Sequence, residues 1–344
     1  MGNQSGALEN LDGIDSGLWR DRPVLVTGAT GLLGLNLCQA LRRLGARVIA
    51  LVRDAPLPEP FALFGLEGSL VVVRGRVEEP ALHERILTDY SVSVVFHLAA
   101  QTLVGPARQN PAATFETNIA GTWRLLEACR RQPVQAFLLA SSDKAYGAQP
   151  QLPYREDFPL LAGFPYDASK ACAEILARSY FQTYQLPIGI TRCANLYGPG
   201  DLNLSRLVPG TLHSILRGEA PVLRSDGSPE RDYMYVGDAV RAYLLFAAAV
   251  LAGQSHGEAM NFGSGRPCSV LALIQALTTA CRQAGFPPVL PARILADTRA
   301  EIDRQYLDSS RALARLGWKA EMPLAQGLRE TAVWYRDHRA ALGW

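Results

Sequence analysis

The chain has 344 residues, 48% of them hydrophobic and 19% charged, a balance typical of a soluble globular protein with a large core. This length allows one large domain or two interleaved ones. The formal net charge is +2 and no block of Lys and Arg occurs, so the sequence indicates no nucleic-acid partner. The apolar run 244–251 is far too short to cross a bilayer, and we expect no membrane partner.

The cysteines and the N-terminal residues indicate the cellular compartment in which the protein is expected. The cysteines are scattered, without a Cys-x-x-Cys pair, and most stand among apolar residues. This pattern is typical of buried thiols in a reducing compartment, so it predicts a cytoplasmic protein without a metal site. Residues 1–17 lack the basic start and apolar core of a signal peptide, and we expect residues 1–20 to form a flexible tail. The cysteines are Cys38, Cys129, Cys172, Cys193, Cys268 and Cys281.

The most informative local signal is a glycine-rich turn between an apolar run and a helical pattern. Gly28, Gly31 and Gly34 are spaced as Gly-x-x-Gly-x-x-Gly, after the apolar run 24–26 and before the helical pattern at 35–44. This arrangement suits a dinucleotide, because glycines let the backbone approach a diphosphate and a helix N-terminus offers free N–H groups. A plain strand-to-helix turn would also use glycines, but both flanks agree with the cofactor interpretation. The expected cofactor contacts are Gly28, Thr30, Gly31, Leu32, Leu33 and Gly34.

Strands and helices alternate through the first 200 residues. Short apolar segments predict strands, and longer segments with helical periodicity predict helices. Strands separated by helices of this length imply a parallel sheet covered on both faces, with ligands at the carboxyl ends of the strands. The predicted fold class is therefore α/β, a Rossmann-type doubly wound parallel sheet. The further strands are predicted at 47–52, 70–74, 92–99, 136–141 and 187–192, and the helices at 114–131 and 166–184.

The second part of the chain has a different texture, because Gly-Pro and Pro-Pro pairs divide it into shorter elements. We assign residues 21–200 to a dinucleotide-binding domain. Residues 232–262 are expected to return to that domain, since the helix predicted over 236–251 is apolar over most of its surface. The other segments, 201–231 and 263–344, are assigned to a smaller α/β lobe that binds the substrate.

Tyr166 and Lys170 are four residues apart on a predicted helix, so they share one face and can converge on one point. A nearby ammonium lowers the pKa of a Tyr, which can then act as a base toward a sugar or alcohol hydroxyl. Ser142 follows the preceding strand, where its hydroxyl can share a hydrogen bond with the same substrate oxygen. The alternative is an amphipathic Tyr beside an exposed Lys. The position of the pair after a dinucleotide fold favours the catalytic interpretation.

Several motifs together make the chain similar to the extended short-chain dehydrogenase/reductase family, over about residues 22–335. The matching segments are 27–34, 97–100, 117–122, 141–142, Tyr166 with Lys170, 231–233 and 236–238. The resemblance implies that Ser142, Tyr166 and Lys170 form a catalytic trio. It also implies that the substrate is a nucleotide-activated sugar and that residues Leu98, Ala99 and Ala100 form part of the cofactor site.

The same resemblance assigns substrate contacts in the second part of the chain. It implies that Asn195 contacts the sugar or its phosphate. Arg231 would pair with the diphosphate, a role suited to a planar, always charged guanidinium. The alternative for Arg231 is a surface ion pair with Glu230 or Asp232.

Asp143 and Lys144, directly after Ser142, indicate a branch of the family. Its sugar 4-epimerases have small or neutral residues there, whereas its 4,6-dehydratases have an acid and a base, because they also expel water across C5 and C6. The segment 141–146 resembles most the CDP-glucose 4,6-dehydratase branch, and the segments with Gln101 and Arg206, both expected substrate contacts, point the same way. The glycine loop and residues 224–227 resemble other members, so CDP, GDP, UDP and dTDP sugars all stay open.

In the reaction that this branch implies, Tyr166 removes the C4 hydroxyl proton while a hydride passes from C4 to the nicotinamide. Lys144 takes the C5 proton and Asp143 protonates the leaving C6 hydroxyl, and the hydride returns to C6. These roles need a neutral Lys and a protonated Asp, whereas adjacent Asp and Lys favour the charged pair. Lys144 acting only to orient the acid is one alternative, and a loop ion pair in an epimerase or reductase is another. A non-catalytic NAD(P)-sensing protein is a third, which the retained Ser142, Tyr166 and Lys170 argue against.

The end of the second predicted strand bears on the cofactor. NAD-specific sites usually carry an acid there for the adenosine ribose. Here Arg53 stands near that point and slightly favours the 2′-phosphate of NADP+, while Asp54 would reach the ribose of NAD+ if the register shifts. Relatives commonly have an Asp where this chain has Arg76, so we expect the adjacent Val77 to contribute by packing. In relatives, helices at 114–131 and 167–184 pair with their copies, and we therefore expect a homodimer.

Overall fold

The computed structural model describes residues 11, 13–53, 60–296 and 302–344. The strands are β1 Pro23–Thr27, β2 Arg47–Val52, β3 Val71–Arg74, β4 Val94–His97, β5 Ala136–Ser142, β6 Ile188–Cys193, β7 Asn195–Tyr197, β8 Val222–Leu223, β9 Glu230–Arg231, β10 Tyr233–Tyr235, β11 Ala259–Phe262, β12 Cys268–Ser269, β13 Arg293–Ile294 and β14 Arg304–Gln305. The α-helices are α1 Ser16–Trp19, α2 Leu32–Arg43, α3 Pro60–Leu63, α4 Pro80–Asp89, α5 Val104–Gln109, α6 Pro111–Phe115, α7 Gly121–Arg131, α8 Pro165–Tyr184, α9 Leu207–Leu216, α10 Val236–Leu251, α11 Val270–Gln283, α12 Ser310–Leu316 and α13 Leu324–Leu342. A π-helical turn covers Glu116–Ala120, and a 3-10 helix covers Asp143–Tyr146.

Seven strands form one parallel sheet in the order β11-β6-β5-β4-β1-β2-β3. Because β1 lies between β2 and β4, the strand order reverses at β1. A crevice therefore opens at the carboxyl ends of β1 and β4, where doubly wound sheets bind their ligands. Thr27 and His97 are opposite each other at this edge. The predicted α/β class and Rossmann-type sheet are confirmed.

The sheet is covered on both faces because its strands are apolar on both. Val24 and Val26 point to one face and belong to the core cluster that contains α2 and α10. Leu25, between them, points to the other face and packs with residues of α4 and α7. This alternation with a period of two divides each buried strand between two cores, as expected for a parallel sheet.

The structure differs from the sequence-based elements in detail. Helix α2 begins at Leu32 rather than 35, because Gly31 has an extended backbone (φ −81°, ψ 168°) and is the N-cap. The single helix predicted over 114–131 is interrupted by the π-helical turn. A local π-helical turn leaves the apolar periodicity of the flanking helices almost unchanged, so periodicity alone does not reveal it.

The smaller lobe is built from short strands and the C-terminal helices. Strands β12, β9 and β14 form one sheet, and β13 pairs with β8. Within 232–262, α10 packs on the main sheet and β11 pairs with β6, while α11 and α13 pack against each other. The domain bounds assigned from the sequence stay a prediction.

Part of the predicted N-terminal tail is packed. Residues 1–10 and 12 lie outside the described residues, but Ser16–Trp19 forms a short helix that Asp15 caps through a hydrogen bond of 2.8 Å from the Gly17 N–H. The Trp19 side chain is fully buried, with its ring 6.1 Å from that of Phe96. The prediction of a flexible tail is therefore wrong for Ser16–Trp19. Burying a side chain as large as an indole stabilises the fold by more than the loss of conformational entropy in this short segment costs. Within the described residues, no helix is long and apolar enough to span a membrane.

Candidate active site

A cleft of about 1690 Å³ lies at the carboxyl ends of the central strands. It gathers the residues predicted to be catalytic, the glycine loop and most of the expected substrate contacts, although they are far apart in sequence. The predicted site residues that line it are Gly28, Thr30, Gly31, Leu32, Leu33, Gly34, Arg53, Val77, Leu98, Ala99, Ala100, Ser142, Asp143, Lys144, Tyr166, Lys170, Asn195, Arg206 and Arg231.

The glycine loop forms one wall of the cleft, and two of its glycines are required by close approach. Gly28 has φ +69°, and a Cβ there would lie 2.8 Å from the Ala99 amide nitrogen. A Cβ on Gly34 would lie only 2.2 Å from the Gly28 carbonyl oxygen. The N-terminus of α2 has no side-chain cap, so its N–H groups are available to an anion. This backbone cradle fits the diphosphate of a nicotinamide dinucleotide.

His97 belongs to the floor of the cleft rather than to its reacting groups. Its Nδ1 lies 2.9 Å from the Thr27 hydroxyl, and its Nε2 lies 3.0 Å from the hydroxyl of Thr122. The Thr122 hydroxyl donates to the Asn118 carbonyl at 2.6 Å, so Nε2 carries the proton and Nδ1 accepts one from Thr27. Burial, with the charge of Lys170, lowers the pKa of His97 to about 3, so the ring is neutral.

Tyr166, Ser142 and Lys170 all line the cleft. The pKa of Tyr166, however, is raised and not lowered as expected. Burial raises the pKa of Tyr166 to about 12, although a hydrogen bond with Ser142 opposes this rise. Lys170 donates to the Ala140 carbonyl at 2.8 Å, and burial lowers the pKa of its ammonium to about 8. Loss of hydration is the largest influence on both groups, and it disfavours the charged form of each.

The acid and base candidates begin the 3-10 helix that follows β5. Asp143 is buried, and its Oδ1 accepts a hydrogen bond of 3.0 Å from the Ser142 hydroxyl. Its Oδ2 is also buried and has no hydrogen-bond partner among the described residues. Lys144 donates through Nζ to the side-chain oxygen of Gln305, a residue of the smaller lobe. Among the described residues, the carboxylate oxygen Oδ2 of Asp143 therefore has hydrogen-bonding capacity that no side chain or backbone group uses.

The far end of this 3-10 helix is anchored in the core. The Tyr146 hydroxyl donates to Asn261 at 2.7 Å and accepts from Arg192 at 2.6 Å. Arg192 is in turn paired with Glu174 of helix α8 through a buried salt bridge. This network connects the turn that carries Asp143 to the helix that carries Tyr166.

Gln101 is the predicted substrate contact that does not line the cleft. Its side-chain amide is used by the backbone of Leu103, donating to the carbonyl at 3.0 Å and accepting from the N–H at 2.5 Å. Asn118, in the π-helical turn, accepts from the Gln101 N–H at 2.7 Å and donates to the hydroxyl of Ser169 at 2.8 Å. Asn118 thus ties the loop after β4 to helix α8, a role that its place in a matching segment did not reveal.

Cationic and amide side chains from the second part of the chain also line the cleft. Arg231 is only 6% exposed, and its Nη1 donates to the Glu230 carbonyl at 2.8 Å, so the surface ion pair considered as an alternative is wrong. Arg206 donates to Asp201 at 3.1 Å and to Thr102 at 3.0 Å. Asn195 donates to the Asp232 carbonyl at 3.3 Å. Two guanidinium groups in the lining of one cleft suit the diphosphate of a nucleotide sugar.

Glu78 is a cleft residue that the sequence did not indicate. It is 9% exposed, accepts from the Thr117 hydroxyl at 2.5 Å, and lies 3.4 Å from Arg76. Burial tends to raise its pKa, but the Thr117 hydrogen bond and the charges of Arg76 and Arg53 lower it overall, so Glu78 is ionised. Arg53 thus has an anion in its field. Asp54, the alternative ribose contact, lies outside the described residues.

Comparisons with known proteins agree with this geometry. The model of the NAD dependent epimerase/dehydratase family matches residues 24–263. The chain is 31% identical to a dTDP-glucose 4,6-dehydratase of Xanthomonas campestris pv. campestris over 329 residues, covering 90% of this chain and 92% of the relative. It is 30% identical to a UDP-glucose 4-epimerase of Mycolicibacterium smegmatis over 321 residues, covering 91% of this chain and 98% of the relative.

The similar solved structures also include both a 4,6-dehydratase and a 4-epimerase. DesIV, a dTDP-glucose 4,6-dehydratase of Streptomyces venezuelae with NAD bound, superposes with a TM-score of 0.83 at 28% identity, over 92% of this chain and 98% of DesIV. A UDP-glucose 4-epimerase of Thermotoga maritima with UDP-glucose superposes with a TM-score of 0.80 at 29% identity, over 92% of this chain and 99% of the epimerase. With its glycine cradle, its Ser, Tyr and Lys in one cleft, and this extent of similarity, the chain belongs to the NAD dependent epimerase/dehydratase family.

Proposed function

We propose that this protein is a nucleotide-sugar 4,6-dehydratase, which converts a nucleoside diphosphate hexose to the 4-keto-6-deoxy sugar. The observation that carries the proposal is the buried Asp143 carboxyl, whose Oδ2 has no hydrogen-bond partner among the described residues and which shares the cleft with Tyr166. An epimerase only removes and returns one hydride and needs no such acid. A dehydratase must protonate a leaving hydroxyl, and Asp143 has an oxygen available for that proton.

A bound nicotinamide cofactor would accept a hydride from C4 of the sugar and later return it to C6. Tyr166 takes the proton of the C4 hydroxyl, and Ser142 donates a hydrogen bond to the same oxygen as the carbonyl forms. The new carbonyl acidifies the C5–H bond. Lys144 takes the C5 proton, the electron pair forms the C5–C6 double bond, and the C6 hydroxyl leaves as water with a proton from Asp143. When C6 then regains the hydride, Lys144 returns its proton to C5, so the sugar has lost one water in total. A role for Lys144 in orienting the acid only is the alternative for this step.

The proposed substrate is CDP-glucose or a similar nucleotide hexose. The Asp-Lys pair at 143–144 supports this choice, while the relatives named above act on dTDP- and UDP-sugars. The proposed substrate is tested by incubating the protein with CDP-, GDP-, UDP- and dTDP-hexoses. The masses of the products are then measured by mass spectrometry. Loss of one water from the CDP sugar is the expected result, and return of every sugar unchanged or as its C4 epimer would contradict a dehydratase.

A nucleotide-sugar 4-epimerase is the second candidate, because UDP-glucose 4-epimerases are as similar to this chain as the dehydratases are. Alkaline treatment of the product distinguishes a dehydratase from an epimerase, since only a 4-keto-6-deoxy sugar develops enone absorbance. A non-catalytic NAD(P) sensor would leave all sugars intact.

Arg53, which lines the cleft near the end of β2, supports a preference for NADP+ over NAD+. Glu78 opposes it, because its carboxylate would repel a 2′-phosphate. Dissociation constants of both cofactors, measured by quenching of protein fluorescence, decide between them. Replacing Glu78 with Gln should improve NADP+ binding, and replacing Arg53 with Leu should weaken it.

We further propose a cytoplasmic homodimer. All six cysteines are free, and four of them are buried, which is compatible with a reducing compartment. Helices α7 and α8 expose Trp123 and Ile175, with 40% and 59% of their surface accessible, on the faces expected to pair. Sedimentation at several concentrations tests the dimer, and an Ile175→Glu variant should sediment as a monomer.

A further inference from the structure

Gln305, in strand β14 of the smaller lobe, reaches the turn that carries the acid and base. It is fully buried, and both ends of its side-chain amide are used. Nε2 donates to the Asp143 carbonyl at 2.9 Å, and Oε1 accepts from Lys144 Nζ. A buried amide bonded at both ends is held in one orientation, so it fixes the groups that it contacts.

The same strand is coupled to the expected diphosphate site. β14 pairs in parallel with β9, with Gln305 opposite Arg231, and the Asp232 N–H donates to the Gln305 carbonyl at 3.2 Å. One pair of short strands therefore carries both the Arg expected at the diphosphate and the amide that supports Asp143 and Lys144.

We propose that Gln305 is a positioning residue for the elimination step, holding the Lys144 amine while that amine exchanges a proton. This inference rests on the proposed dehydratase function. An amide oxygen accepts a hydrogen bond from a charged ammonium and from a neutral amine alike. A carboxylate at the same place would strongly favour the ammonium, in addition to the charge of Asp167, which already interacts with Lys144. A neutral acceptor lets Lys144 lose and regain its proton without losing its anchor.

Two variants separate these effects. Gln305→Leu removes both hydrogen bonds from a buried position of similar size, and Gln305→Glu keeps an acceptor but adds an anion beside Lys144. In single turnovers with the hexose that the wild type dehydrates, both should still oxidise C4. Both should lose water about 10- to 100-fold more slowly, so that reduced nicotinamide accumulates.

Gln149→Leu is the matched control. Gln149 Nε2 donates at 2.7 Å to the Tyr146 carbonyl, at the other end of the same 3-10 helix, and contacts neither Asp143 nor Lys144. This variant should divide its turnovers between reduced cofactor and product as the wild type does.

A readout independent of turnover is the reactivity of the lysines. Lys144, Lys170 and Lys319 are the lysines of the sequence, and Lys319 is exposed and serves as an internal reference. Trace labelling with a small acylating reagent, read by mass spectrometry, reports the fraction of neutral amine. Gln305→Glu should slow labelling of Lys144 relative to Lys319 by about tenfold, the effect of a pKa one unit higher.

The outcomes are distinct. If the wild type dehydrates no hexose, the proposed function fails and the role in elimination fails with it. If the wild type is a dehydratase but both Gln305 variants match it in turnover and labelling, this inference alone fails. Should Gln305→Leu not fold, the nearly isosteric Gln305→Glu still decides through both measurements.

Discussion

The Thr27 hydroxyl and Nδ1 of His97 lie 2.9 Å apart across β1 and β4, where the strand order of the sheet reverses. Thr27 Oγ1 also accepts the N–H groups of Leu98 and Ala99, each at 3.1 Å. One hydroxyl thus joins two strands and the loop that forms the floor of the cleft. The arrangement requires a neutral imidazole, since a protonated ring would offer a proton to Thr27 where it now accepts one.

We expect His97 to make the stability of the fold dependent on pH. Its pKa is lowered to about 3 in the fold, against about 6.5 in an unfolded chain. Between these values the unfolded state binds more protons, so the stabilisation is present above about pH 6.5 and is lost as the pH falls. This group should remove about 1.4 kcal/mol of unfolding free energy per pH unit between about pH 6 and 4. Urea unfolding at several pH values measures it.

The matched variants for this experiment are His97→Gln and His338→Gln. The first cannot titrate, so its unfolding free energy should depend less steeply on pH than that of the wild type. The second changes a His on α13, far from the cleft, and should keep the steep dependence. Equal slopes for the wild type and His97→Gln would show that the imidazole is not held neutral.

Gly34→Ala should abolish binding of the dinucleotide. Its Cβ would lie 2.2 Å from the Gly28 carbonyl oxygen, and neither backbone can move without distorting the cradle. We expect the cofactor to bind at least about 100-fold more weakly, together with a lower thermal midpoint. Gly163→Ala is the control, because a Cβ there meets nothing within 4 Å and Gly163 does not line the cleft. Wild-type cofactor affinity in Gly34→Ala would mean that the diphosphate binds elsewhere.

Tyr166→Phe should reduce C4 oxidation by about 10²- to 10⁴-fold, the range for loss of a general base. Formation of reduced nicotinamide in a single turnover measures the effect. Tyr180→Phe, on the same helix, removes a hydroxyl that donates to Glu127 and should behave as the wild type. Comparable rates for wild type and Tyr166→Phe would remove this residue from the mechanism.

Asp143→Asn should stop water loss while leaving partial cofactor reduction. The amide keeps the shape of the side chain but has no acidic proton for the C6 hydroxyl, so a slowing of about 10²- to 10⁴-fold is expected for the elimination. Reduced nicotinamide should persist, and the product should develop no enone absorbance in alkali. Asp157→Asn changes an exposed carboxylate paired with Arg155 and serves as the control. An unimpaired yield of 4-keto-6-deoxy sugar from Asp143→Asn would exclude it as the acid.

The central sheet and the glycine cradle could be predicted because their signals are local. Apolar runs bounded by turns identified β1, β2 and β5, and the helix predicted over 236–251 coincides with α10. The spacing of Gly28, Gly31 and Gly34 indicated the crevice, since a turn of this kind needs glycines at fixed offsets. The local pattern could not predict the packed end of the N-terminal segment. Trp19 is buried there only because residues distant in sequence pack around it.

The amino-acid sequence by itself determined the fold class, the family and which side chains carry reactive groups, since all three follow from residue types at fixed short spacings. Only the tertiary structure decided how those groups behave. It raised the pKa of Tyr166 by burial and turned the side chain of Gln101 onto the backbone of Leu103. It also brought Glu78 to the cleft and Gln305 to the turn that carries Asp143 and Lys144. The physical reason is that the hydration and the hydrogen-bond partners of a group depend on its neighbours in space. Positions along the chain do not reveal which residues these neighbours are.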